Sequence, residues 1–122
     1  MENYSQNELD AALQLLASTI RRCENSQLKF AEGTSQYSLL RNRIKALTIS
    51  KALIEGDCTL GLYTPQDLEN ALPPVLSIIK KTEKAQMKYG VGTMQYKRFA
   101  PIIQAMYISK AFIEHARANP AH

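Results

Sequence analysis

Two short stretches carry the side chains best suited to chemistry. "QLKFAEGTSQY" begins at Gln27, and "QMKYGVGTMQY" begins at Gln86. The first supplies Gln27, Lys29, Thr34, Gln36 and Tyr37. The second supplies Gln86, Lys88, Thr93, Gln95 and Tyr96. Amides, an ammonium, a hydroxyl and a phenol are groups that bind rather than transform. If each Thr opens a helix, the free N–H groups there, the positive dipole end and the nearby Lys suit an anion or a small polar molecule. The same residues also suit a joint, in which Gly turns the chain, Thr caps, Gln finds amide partners among Thr, Tyr and the opposite Gln, and Tyr closes the end. The joint explains Gly and Thr. Gln, Lys and Tyr are what it leaves over.

Other chemistry is thin. There is no phosphate-binding Gly-rich loop, no Cys/His or Ser/His pair at motif spacing and no Glu-x-x-His. No catalytic residue, cofactor or metal is expected. Cys23 and Cys58 fit no metal or redox spacing, and Cys23 falls on an apolar stripe as a small core residue. His115 and His122 lack companions at ligand spacing. Lys51 and Lys110 each precede a Glu by four residues, Glu55 and Glu114, which favours ordinary ion pairs over reactive amines. A basic surface of Arg41, Arg43 and Lys45 with Lys81, Lys84 and Lys88 offers weak nucleic-acid binding as a further reading.

The elements that position these residues follow from an internal repeat. Shifted by 59, residues 4–55 lie over 63–114 without a gap, and 21 of the 52 pairs are identical. Chance at ordinary composition gives about three. The expected organisation is a single domain, 1–122, with repeat 1 about 4–62 and repeat 2 about 63–121.

Each repeat reads as two helices. Ser5 with Glu8, and Thr64 with Pro65 and Asp67, are helix-opening patterns. Thr34 and Thr93 suit the caps of helices 2 and 4, and Gly33 and Gly92 suit the left-handed position after helices 1 and 3. Leu9, Leu13, Leu16, Ile20, Cys23, Gln27 and Phe30 form a seam stepping by four and three, copied in repeat 2. Helix 2 carries one seam at Leu40, Ile44, Leu47, Lys51 and Ile54 and a second at Ala46, Ile49 and Leu53; helix 4 repeats both. Pro73, Pro74 and Pro101 fall inside helices 3 and 4 and are expected to kink them or delay their starts.

One hairpin cannot bury such faces, so two pack together. The expected fold is all-α: an internally duplicated helical hairpin forming a pseudo-twofold antiparallel four-helix bundle. Helices 2 and 4 are apolar around most of their circumference. They either cross at the centre, where Ala46, Ser50, Ala105 and Ser109 allow close approach, or form a homodimer interface.

"GTSQYSLLRNRIKALTISKALI", residues 33–54, resembles a motif in small bacterial proteins of unknown function with the form GTSQ, a short spacer, then NRIKAL. Repeat 2 departs from it at "RFAPIIQ". The resemblance implies a bacterial origin and brings no activity. The net charge of +4 and the absence of a signal-peptide pattern or a ~20-residue apolar run point to a cytoplasmic protein with no membrane partner. The functional expectation is a helical interaction module acting through protein contacts, a homodimer through helices 2 and 4. Anion or small-molecule binding at the turn end is the alternative.

Overall fold

A computed structural model describes residues 3–56 and 63–118 of the 122-residue chain. All regular structure among them is helical: α1 Gln6–Gln27, α2 Ser35–Glu55, α3 Pro65–Gln86 and α4 Met94–Ala118. At about 1.5 Å per residue each helix is ~30–38 Å long.

The helix starts are local chemistry. The Ser5 hydroxyl accepts from the Glu8 N–H at 3.1 Å while the Ser5 N–H donates to the Glu8 carboxylate at 2.9 Å. Thr64 and Asp67 exchange the same pair of bonds, both at 3.0 Å, with Pro65 taking the first helical position. Two of the orphan donors at each start are thereby satisfied.

The hairpin turns close differently from the expectation. After α1 the N–H groups of Lys29 and Phe30 bond back three residues, to Ser26 and Gln27. After α3, Lys88 and Tyr89 do the same to Ala85 and Gln86. The residues next to the helices, Leu28 and Met87, are right-handed. Such tightened last turns need no left-handed residue. Gly33 does reach φ 91°, but inside the turn, and Gly92 stays out of the positive region. Gly56 takes the left-handed cap position, after α2, at φ 73°. The rest of the connection, with Cys58 and Gly61, lies outside the described residues, as does His122.

The prolines neither end nor delay their helices. α3 runs through Pro73 and Pro74, and α4 runs through Pro101. Each proline removes one bond to the carbonyl four residues earlier. Neighbours such as Leu72, Val75, Ala105 and Met106 are buried, and that packing offsets the lost bonds.

α1 packs on α2 and α3 on α4 as hairpins, α2 packs on α3, and α1 packs on α4. α2 also touches α4 across the middle of the bundle. That contact is made where Ala46, Ile49, Ser50, Ala105, Ile108 and Ser109 are all essentially sealed from solvent. The two buried hydroxyls donate to their own i−4 carbonyls, Ser50 to Ala46 and Ser109 to Ala105, both at 2.8 Å. No buried polar group is left over at the contact, and small side chains let the helices approach. The second apolar seam of helices 2 and 4 is therefore covered within one chain.

Contacts recur at the 59-residue interval. Lys45 of α2 donates to the Asp67 carboxylate of α3 at 3.3 Å, and Gln104 of α4 donates to the Glu8 carboxylate of α1 at 2.8 Å. Both carboxylates are the capping residues already described. Each link joins the first turn of one helix to the middle of a helix in the other repeat, and the turns 28–34 and 87–93 are the tips of the two hairpins.

Candidate functional site at the turn end

The threonines open α2 and α4. Thr34 accepts from the Tyr37 N–H at 3.2 Å and donates to the Ala31 carbonyl at 2.8 Å. Thr93 accepts from the Tyr96 N–H at 3.2 Å and donates to the Gly90 carbonyl at 2.7 Å. Each hydroxyl thus pins both sides of its turn.

The glutamines explain themselves as well. The Gln27 amide donates to the Tyr37 carbonyl at 3.4 Å, and Gln86 donates to the Tyr96 carbonyl at 3.0 Å. Each links the last turn of one helix to the first turn of the next within its own hairpin. Of the partners expected, Tyr is the one used, through its backbone carbonyl. Two helices satisfied this way need no ligand to complete the joint. Lys29, Lys88, Gln36 and Gln95 are exposed, and Tyr37 and Tyr96 are half-buried.

What the hairpin tips do offer is unfinished surface. Burial stops abruptly along each hairpin. In α2 the first buried residue is Ala46, and in α4 it is Ala105. The three turns before each, Ser35–Lys45 and Met94–Gln104, bury nothing fully, and the seam residues Leu40, Ile44, Phe99 and Ile103 are only half-covered. Beyond them Leu28, Met87, Met94 and Val91 are 85, 82, 75 and 74% exposed. Tyr89 stacks on Phe99 with ring centroids 6.1 Å apart, which covers one of its faces.

The tip half of each hairpin is basic. Residues 21–45 and 80–104 hold twelve of the fifteen Lys and Arg but three of the eleven Asp and Glu. The base halves hold the capping carboxylates and the ion pairs Lys51–Glu55 and Lys110–Glu114, at 3.1 and 3.2 Å. Counting charge by repeat conceals this polarity, because each repeat contributes a basic hairpin tip and an acidic base. Counting along each hairpin would have found it.

The basic residues singled out from sequence do not form one patch. Arg41, Lys81, Lys84 and Lys88 are exposed, and Lys45 is engaged by Asp67. Arg43 is half-buried on α2 in a groove against α3, and its Nε is enclosed without a hydrogen-bond partner. The groove has a volume of about 510 Å³. Cys23 is buried, and burial pushes its thiol up from the ordinary value, with the nearby positive charges of Arg43 and Arg22 opposing. A thiol held protonated is a poor nucleophile and metal ligand.

Among the described residues no three His, Cys, Asp or Glu come together as a metal site, and no helix is long and apolar enough to cross a membrane. No known protein family, curated protein or solved structure matches the chain.

Proposed function

We propose that the protein is a non-enzymatic interaction module whose working surface is the tip of the second hairpin, and that it grips an acidic, amphipathic segment of another protein. The observation that carries this reading is the coincidence at that tip of large exposed aliphatic side chains with a run of cations. Met87, Val91 and Met94 gain from an apolar partner face, and Lys84, Lys88, Lys97 and Arg98 around them select acidic side chains.

Charge decides between partners of the same shape. A second copy meeting tip to tip would oppose two basic surfaces, which is unfavourable. A homodimer through α2 and α4 was motivated by apolar surface that those helices now use on each other. Nucleic acid answers the cations but not the aliphatic groups, and it prefers free aromatic faces for stacking, whereas Tyr89 is already stacked on Phe99.

The reading is tested by titrating the protein with three probes: an acidic amphipathic helical peptide, a basic peptide of equal hydrophobicity and a single-stranded oligonucleotide. The acidic peptide is expected to bind, weakening with salt and lost in the Met87→Asp/Val91→Asp variant. Tighter binding of the oligonucleotide, untouched by that variant, overturns the proposal. So does a stable dimer of the free protein that the variant dissolves.

A further inference from the structure

The groove between α2 and α3 has an internal reference. Its two wall residues Arg43 and Pro74 correspond, at the 59-residue interval, to Ile102 and Leu15, which lie on α4 and α1. Ile102 and Leu15 are half-buried apolar side chains packed on the core. The α2–α3 interface has at the same two places an arginine and a short ring. A bulky apolar pair has been replaced by a cation and a gap, and the groove of about 510 Å³ is what results.

The arginine is not spent on the protein. Its Nε is buried and makes no hydrogen bond. Lys45 beside it is occupied by Asp67 at 3.3 Å, and the ion pairs among the described residues do not include Arg43. A buried guanidinium N–H without an acceptor is costly. The apolar part of the wall is Leu39, Ala46, Ala71, Pro73 and Pro74, the amides of Asn42 and Asn70 stand at the sides, and the Asp67 carboxylate also lines the groove, its charge offset by Lys45. The volume is in the range of small-ligand sites, roughly 300–1,000 Å³.

We infer that this groove is a binding site for a small organic carboxylate with an apolar body. The carboxylate takes the two parallel N–H bonds that the Arg43 fork presents, the pairing for which guanidinium geometry is suited. The body fills the space that Leu15 and Ile102 fill in the matching interface. Neither a bare inorganic anion nor a neutral apolar molecule satisfies both features. The site is separate from the turn-end surface and does not depend on it.

Amide NMR on the full chain tests this with four probes: 3-phenylpropionate, its carboxamide, acetate and inorganic phosphate. 3-Phenylpropionate is expected to shift the amides of Asn42, Ala46, Asn70 and Ser77 in a saturable way. The carboxamide should bind about tenfold more weakly or less, as should the acid to Arg43→Gln. The double variant Arg43→Ile/Pro74→Leu restores the filling of the other interface. It should melt at a higher temperature than the parent and lose the shifts, which separates a filled site from a misfolded one. Equal binding of acid and carboxamide overturns the inference. No saturable shift at these four amides with any probe at millimolar concentration does so too.

Discussion

Thr34 and Thr93 each hold a turn by accepting one backbone bond and donating another, and Gln27 and Gln86 bridge the flanking helices through their amides. Removing one cap by Thr→Val should cost about 1 kcal/mol and lower the thermal midpoint by a few degrees. The acidic peptide should still bind. A loss of binding larger than the loss of stability would give the threonines a direct role that the structure does not assign. Glu8 and Asp67 make a second residue-scale case. Hydrogen bonds from the Ser5 and Thr64 backbone hold their carboxyls below the ordinary range, with Gln104 and Lys45 adding to the effect. A depressed folded-state pKa stabilises above the ordinary carboxylate value, and that contribution is lost as pH falls through the depressed one. Stability should thus drop on the acid side of about pH 4. Glu8→Gln/Asp67→Asn should be less stable at neutral pH and should show a flatter acid limb in denaturant melts. An unchanged limb would mean the capping bonds do not persist in solution.

Among the elements, α2 and α4 are set by what passes between them. Ser50 and Ser109 sit fully buried where Ala46 and Ala105 leave room. Ser50→Leu forces two extra heavy atoms into that contact and should destabilise by about 1–3 kcal/mol, seen as a lower urea midpoint. Pro101→Ala works the other way. Pro101 is exposed in a helix that continues on both sides, so alanine regains an N–H bond to the Lys97 carbonyl. A gain of about 1–3 kcal/mol is expected, and a loss would show that the ring fits a bend that alanine relaxes. These elements were legible in the sequence because their signals are local: capping pairs three residues apart and apolar steps of three and four. The seams at Leu16, Leu47, Ile49, Ile54, Val75 and Ile108 are buried as expected. The places where sequence reading fails depend on a partner across space. Gly33 and Gly92 look like helix caps until the Lys29/Phe30 and Lys88/Tyr89 bonds close the last turns first. Arg43 reads as surface because nothing in its neighbours along the chain reveals that α3 covers it. The half-covered seam at Leu40 and Phe99 reads as core for the same reason.

At the scale of the molecule, each hairpin has a closed, acidic base and an open, basic tip. The sequence carried both facts, but folded into a repeat that places each basic tip next to its own acidic base in the chain. Backbone amides should report the division directly. Exchange is governed by local opening, which is easiest where few apolar contacts cover the helix. Ser35–Lys45 and Met94–Gln104 should exchange faster than Ala46–Ile54 and Ala105–Ile113 in the free protein. The most direct test of the central claim is site-specific photo-crosslinking in cells, with the probe placed at Met87 on the tip and, in a second strain, at Glu69 on the base. The account predicts discrete adducts at Met87 to a protein segment rich in Asp and Glu, absent when Val91→Asp is added and absent from the Glu69 strain. Adducts confined to the Glu69 strain, or tip adducts that survive Val91→Asp, would contradict it.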